Sequence, residues 1–469
     1  MRRRLQPVQE GDAAVTAFDE RTMADLRESM RGPVLLPGQN GYDEARGLFN
    51  GMIQRRPSVI AQCRGPADVR AALDLAVGQD LPVAVRGGGH NVAGHACCDD
   101  GVMIDLSLMR SVRVDPRDRI AWADPGCTWI DFDQEPWAHR MATTGGTVGS
   151  TGIAGLTLGG GIGWLMGTYG LTCDNLVAAE LVTADGRIVH VDDDSEPELM
   201  WGLRGGGGNF GVVTRFAYRI HPIDTLVGGL VLYPIDRARE ALELYREIAT
   251  DPPDELTCSF VLLNVPEGGP TAAAIAACWN GPEGPAERAL APLREFGPPI
   301  EDGLRPLSYL QVQKTFAEIP FGLRDYWKGH FLREFPDDLV DATVEAFLNA
   351  PSPLSMFLIE APHGRASAPN PASAYGQRLA RYNTSALAIW EDPADDDANI
   401  AWARDYARAA EPAAIGDYVN YLGHDSTPEQ IAAAYGDRTY ERLVGLKRTY
   451  DPHNVFRFNQ NIKPEPVGA

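Results

Sequence analysis

Residues 86–100 read RGGGHNVAGHACCDD. Gly87, Gly88 and Gly89 lead from Arg86 into His90, and His95, Cys97, Cys98, Asp99 and Asp100 follow within ten residues. The stretch admits three chemistries: a backbone cradle for phosphate, a metal site, or a loop that presents a histidine to a larger group. Two histidines, two cysteines and two aspartates are metal-ligand types. Adjacent cysteines are poorly spaced for one tetrahedral site, however, and no second ligand pair with zinc spacing occurs elsewhere, so no metal is expected. RGGGH also lacks the Lys-Ser/Thr of a nucleotide-hydrolysing P-loop. GGGNFG at 206–211 matches G-x-G-x-x-G only formally, because the β-rich VVTRFAYRI follows where a dinucleotide-binding unit needs a helix.

Outward from this stretch, strand and helix signals alternate. Val83 and Val85 have strand spacing, whereas apolar positions 69, 72, 73, 75 and 76 have helical spacing. The pattern predicts strand 58–63, helix 66–80, strand 82–89, strands at 101–107 and 120–126, and helix 128–141. Residues 145–163 are too dense in glycine for a packed helix and predict a loop whose backbone closely approaches a ligand. A third glycine run, 205–211, precedes a long strand. Beyond Pro222 the texture changes to helices and strands with few glycine clusters, which predicts an α+β unit on an antiparallel sheet. A distinct tail follows residue 411, with one helix expected over 427–451.

The 469 residues suffice for two or three domains. A net charge of −22, from 64 acidic and 42 basic residues, argues against nucleic acid or anionic membrane as partner. MRRRLQPVQEG has no apolar segment after its arginines, and no apolar run approaches the ~20 residues that span a bilayer. The seven cysteines are scattered without a CxxC, which fits reduced thiols and a cytoplasmic location.

Three glycine-rich loops between strands can converge to offer backbone N–H groups to a diphosphate and a flat ring system, with His90 at the tip of the first. RGGGHNVAG, GGTVGSTGIAGLTLGGGIGWLMGTYGLTCDNL, LRGGGGNFGVVT and YDPHNVFRFNQNI resemble the berberine bridge enzyme-like FAD-linked oxidases of the vanillyl-alcohol oxidase / p-cresol methylhydroxylase (PCMH) superfamily, from about residue 54 to 463. The resemblance implies an α+β fold in which a PCMH-type FAD-binding domain (1–224, core about 54–224) is completed by a returning tail (414–469). A substrate domain on an antiparallel sheet (225–413) lies between them.

The resemblance further implies FAD bound covalently through His90. Around it would stand Arg86, Gly87, Gly88, Gly89, Asn91, Gly94, Gly145, Gly146, Gly149, Thr151, Gly152, Gly155, Gly159, Gly160, Gly161, Gly211, Val212, Val213, Asn459 and Asn461. Many relatives carry a second tether from a cysteine eleven residues before the glycine triplet; here that position is Val148, so a single tether is expected. Cys127 reads as strand-end packing and Cys173 as a buried thiol. Catalysis in the family involves a Y-x-N-Y segment, here Tyr418-Val419-Asn420-Tyr421.

A tyrosine with a lowered pKa could take a substrate proton while hydride leaves for the flavin. Strand alternation would put Tyr418 and Asn420 on one face and Tyr421 on the other, leaving open which tyrosine acts. Tyr326, Trp327, Lys328 and Arg378 are further candidates, with His363 behind them. The implied reaction is oxidation of a small organic substrate (an alcohol, a hemiacetal or a C–H next to nitrogen) with O2 as acceptor, in natural-product tailoring or catabolism. The alternatives are a flavin dehydrogenase or oxygenase on the same scaffold, or a non-catalytic flavin- or metabolite-binding protein.

Overall fold

Val59–Gln62 and Val83–Arg86 are short apolar strands that run parallel because the helix Pro66–Gly78, with proline at its first turn, joins them. Both strands flank Val102–Asp105, and Val34–Leu35 completes a four-stranded sheet. The computed structural model describes residues 18–464 apart from Glu267, Ala317 and Glu318, so the arginine-led terminus and the outermost ends of the expected FAD-binding domain lie outside the described residues. Val69, Ala72, Leu73 and Ala76 bury one helix face against Val59, Ala61 and Ile104. The Asp68 carboxylate accepts the backbone N–H groups of Arg31, Gly32 and Arg64, closing the loops around that helix start.

A second, antiparallel sheet runs in the order Val112–Asp115, Ile120–Ala123, Val212–Arg219, Leu176–Val182, Ile188–Asp192. Trp129–Trp137, Pro197–Leu203 and the tail helix Asp437–Tyr450 share its core. The tail is two helices, Pro428–Tyr435 and Asp437–Tyr450, rather than the single one expected, because Gly436 breaks the path with φ +78°. The fully buried Lys447 ammonium donates to Asn209 O (3.0 Å), Phe456 O (2.8 Å) and Asp451 Oδ2 (2.7 Å), which fastens the tail to the third glycine loop.

Met141–Ala142 and His221–Pro222 form a two-stranded sheet, and among the described residues the largest sheet has nine strands, all antiparallel. Its main path is Glu301–Asp302, Leu226–Pro234, Thr271–Trp279, Leu256–Asn264, Met356–Glu360, Tyr382–Trp390, Arg324–Leu332, Ala414–Gly416. Helices Ala238–Thr250, Asp337–Leu348 and Asp396–Ala410 cover one face. The other face turns toward the glycine loops. Ala414–Gly416, assigned to the tail from sequence, is the edge strand of this sheet and pairs with Phe331 and Leu332; the chain leaves the sheet only afterwards.

Candidate active site

The three glycine loops meet. A Cβ on Gly88 would stand 2.5 Å from Gly152 Cα, so the first and second loops touch backbone to backbone and only glycine fits. The third loop joins through Gly207 N–H to Leu158 O (2.8 Å). One correction falls inside the second loop, where Ile153–Leu158 forms a six-residue helix despite Gly155; nothing lies within 4 Å of the place a Gly155 Cβ would occupy.

His90 stands at the rim of this cradle, half-buried and stacked on the fully buried Phe49 with ring centroids 4.1 Å apart at 14°. Burial lowers its pKa to about 4, so at neutral pH the imidazole is uncharged and keeps a lone pair. Asn91 Nδ2 donates to Asn420 O (3.4 Å) and Asn420 Nδ2 to Leu156 O (3.2 Å), which tie the first loop to the tail and the tail to the second loop. A Cβ on Gly159 would displace the Asn420 amide, so glycine here leaves room for that side chain.

The other sequence candidates divide. Val212 and Val213 put their side chains into the apolar cores, leaving only backbone for a ligand. Asn459 donates to Gly208 O and Phe456 O, while its Oδ1, Asn461 Oδ1 and Arg86 Nε are buried without a protein partner. Such orphaned polar atoms beside convergent glycine backbones fit a large polar ligand such as FAD. Cys127 and Cys173 contact Ser111 O and Ser373 Oγ, and burial pushes both thiols well up. Cys97 and Cys98 are also buried and His95 is half-buried, and among the described residues no cluster of three or more His, Cys, Asp or Glu could hold a metal.

The tail tyrosines differ from expectation. Val419–Tyr421 is a 3-10 turn, not a strand, so Tyr418 and Tyr421, three residues apart, point the same way with ring centroids 4.9 Å apart. Tyr418 Oη accepts from Gly161 N–H (2.9 Å), Ile162 N–H (3.4 Å) and Asn420 Nδ2 (3.0 Å). Tyr421 Oη donates to Glu360 Oε2 (3.3 Å), which also accepts from Asn383 Nδ2 (2.8 Å). Contrary to the expected lowering, burial raises both phenols above their usual value, outweighing the three donors on Tyr418. Glu360 is the group brought near neutrality: burial raises it to about 7 against the pull of Asn383 and Tyr421.

Glu360 and Asn383 escaped the sequence reading. Register pairs Glu360 with Asn383 and Asn383 with Phe331, so they share the sheet face that carries Trp327 and Leu358. The available signal was a carboxylate in phase with Met356 and Leu358 on an apolar strand.

Tyr326 and Lys328 alternate onto the opposite, helix-covered face. There Tyr326 Oη (2.6 Å), Lys328 Nζ (2.8 Å) and Arg404 (2.9 Å) converge on Asp425. Although burial opposes it, these partners hold the Asp425 carboxyl well below its ordinary range. A cavity of about 400 Å³ wraps the edge of this strand, from Tyr418, Tyr421, Asn383 and Ser385 to Lys328 and Arg404. Lys328 therefore reaches the rim of the tyrosine site, whereas Tyr326 belongs to the core of the substrate sheet. Arg378 is a buried partner of Asp174 (2.5 Å), and His363 packs by Gly167; neither joins the tyrosines.

Residues 57–192 match a family described as FAD binding domain, and residues 417–463 one described as berberine and berberine like. The chain is 32% identical over 444 residues to an FAD-linked oxidoreductase of Dictyostelium discoideum, covering 93% of this chain and 96% of that one. Over 457 residues it is 30% identical to (R)-6-hydroxynicotine oxidase of Paenarthrobacter nicotinovorans, covering 93% and 98%. A crystal structure of 6-hydroxy-D-nicotine oxidase from Arthrobacter nicotinovorans is similar with a TM-score of 0.85 at 29% identity, over 93% of this chain and 99% of that one. The chain belongs to the berberine bridge enzyme-like FAD-linked oxidoreductases.

Proposed function

We propose that this FAD-dependent oxidoreductase is an oxidase that holds its flavin on His90 by a single covalent bond and takes hydride from a small organic substrate, with O2 as the final acceptor. Its FAD-binding part would comprise the chain up to 224 and from 417 onward, and its substrate part residues 225–416. The reading is supported by one juxtaposition: the short turn 418–421 meets the histidine loop through Asn91, the second glycine loop through Gly161, and the substrate sheet through the Tyr421–Glu360 hydrogen bond. A full-length resemblance to a protein named as an oxidase points the same way.

Bound FAD supplies the hydride acceptor. The chain supplies the rest: glycine backbones at 87–89, 145–152 and 159–161 to hold the cofactor, and Tyr421 to receive a proton from a substrate O–H or N–H while passing its own to Glu360. A carboxylate poised near 7 suits a general base at working pH. Tyr418 supports a second reading, because three N–H groups on one phenol oxygen are the arrangement that steadies a phenolate. The single tether is supported by Val148 at the second position and by the engaged thiols of Cys127 and Cys173.

Acid-precipitated protein should stay yellow, with a His90 peptide heavier by one FAD and no flavin on any cysteine. Anaerobic addition of candidate alcohols, hemiacetals and amines should bleach the flavin for one class, and air should restore it with hydrogen peroxide. Flavin recovered entirely in the acid supernatant would refute the tether. Flavin colour that returns only with an added electron acceptor, and not with air, would refute the oxidase.

A further inference from the structure

We infer that Phe49 is a positioning residue for covalent flavin attachment, setting the plane of the His90 ring on behalf of the substrate domain. The inference rests on the covalent reading of His90 above. Among the described residues no side chain hydrogen-bonds the imidazole; its neighbours are rings, with Phe49 face to face at 4.1 Å and Phe321 edge-on at 6.1 Å. An imidazole lone pair lies in the ring plane, so the nitrogen can be aimed only by fixing that plane. Stacking at 14° does this through the ring face, without using either nitrogen.

Phe49 is in turn clamped from the substrate domain. Trp327 and Phe321 meet it edge-on at 6.0 and 5.4 Å. Its backbone N–H donates to Gly89 O (3.0 Å), next to His90, and its carbonyl accepts from Gly322 N–H (2.9 Å). Asn50 repeats the bridge, donating from Nδ2 to Val92 O (2.7 Å) and Asp325 O (2.8 Å) while Oδ1 accepts from Asp325 N–H (3.1 Å). Residues 49–50 thus tie the histidine loop to the strand Arg324–Leu332, and the imidazole is set only once that strand is seated. Burial beneath Phe49 also keeps the ring neutral and nucleophilic.

Attachment forms a bond from an imidazole nitrogen to the methyl carbon on the flavin's benzenoid edge and breaks one methyl C–H and the imidazole N–H. The two protons and the surplus electron pair pass to the ring system, and dioxygen takes them up as hydrogen peroxide.

The test follows acid-resistant flavin over time in purified protein incubated with FAD. Phe49→Leu keeps apolar bulk but loses the ring face, and should slow attachment about tenfold, while Phe49→Trp and Phe49→Tyr stay within about threefold of the wild type. The pH profile separates positioning from mere stability. The wild-type rate should be flat from about pH 6 to 9, whereas in Phe49→Leu a wetter imidazole with pKa near ~6.5 should make attachment fall as pH drops below that value. Should Phe49→Leu not fold, Phe49→Met, of similar reach without a ring, decides in its place. Attachment by the folded variant at the wild-type rate and with the wild-type pH profile overturns the inference. A wild-type chain that never holds flavin against acid overturns the tether itself, and this inference with it.

Discussion

The two walls of the proposed active site are built on different principles. The flavin-side wall is backbone: runs of glycine contiguous in sequence, whose missing side chains let three loops touch. The opposite wall is side chains, taken one at a time from strands far apart: Trp327, Glu360, Asn383 and the tail's Tyr421. A backbone wall recognises a large invariant ligand through groups every residue possesses, whereas a side-chain wall can be rewritten position by position. Constancy of cofactor and variety of substrate can therefore coexist on one scaffold.

The largest expected effect tests the side-chain wall. Tyr421→Phe and Glu360→Gln should each keep fold and flavin spectrum but lose about 10²–10⁴-fold in anaerobic flavin reduction, the span of a general base. The wild-type rate should fall as pH drops below about 7, where Glu360 gains its proton, and Glu360→Gln should flatten that limb. A Tyr418→Phe variant that alone shows this loss would move the base to the phenol cradled by Gly161 and Ile162.

Next comes the tail that completes the backbone wall. Lys447→Met leaves the Asp451 carboxylate buried without its cation and should cost about 3–5 kcal/mol in denaturant unfolding. Unchanged stability would show that the third glycine loop needs no fastening.

His90→Ala asks how much of the grip is backbone. Flavin should remain bound but be released by acid, and its reduction should slow by about tenfold, equivalent to ~1.4 kcal/mol, as the electron-withdrawing adduct is lost. A variant that cannot rebind FAD would mean that the glycine loops do little without the bond.

The last test lies beneath the second loop. Asp133 is fully buried with Gln313 Nε2 at 2.6 Å as its partner, and burial raises its pKa to about 8. A carboxyl raised in the folded state is bound to its proton there, so its cost is absent below the unfolded pKa near ~4 and grows as pH rises to 8. Asp133→Asn should accordingly raise the melting temperature by several degrees at pH 9 and leave it unchanged at pH 4.

Legibility followed the same division. The loops around His90, the strand after Gly211 and the antiparallel character of the middle region are local patterns, readable as glycine density and alternating periods. Glu360 was not readable, because its meaning comes from Asn383 across one ladder and Tyr421 sixty-one residues on, and register is a tertiary property. The Y-x-N-Y segment is legible as a motif but not in its orientation: strand alternation predicts opposite faces, whereas the 3-10 turn has a period of three and brings both tyrosines to one side. Phe49 and Asn50, in a short loop with no motif, carried no signal.

The edge strand Ala414–Gly416 has a mechanical consequence. The chain crosses from the flavin part into the large sheet at Leu226–Pro234 and leaves it at Ala414–Gly416, six strand steps away in the sheet order. At ~4.8 Å per step these crossings stand roughly 29 Å apart, so the sheet is a plate riveted near both margins, with no single hinge line about which to swing. Traffic to the flavin should pass through local openings such as the cavity around Lys328 and Arg404 while the two halves keep their spacing. Scattering profiles with and without substrate should then coincide, and a change in radius of gyration on binding would show that one rivet gives way.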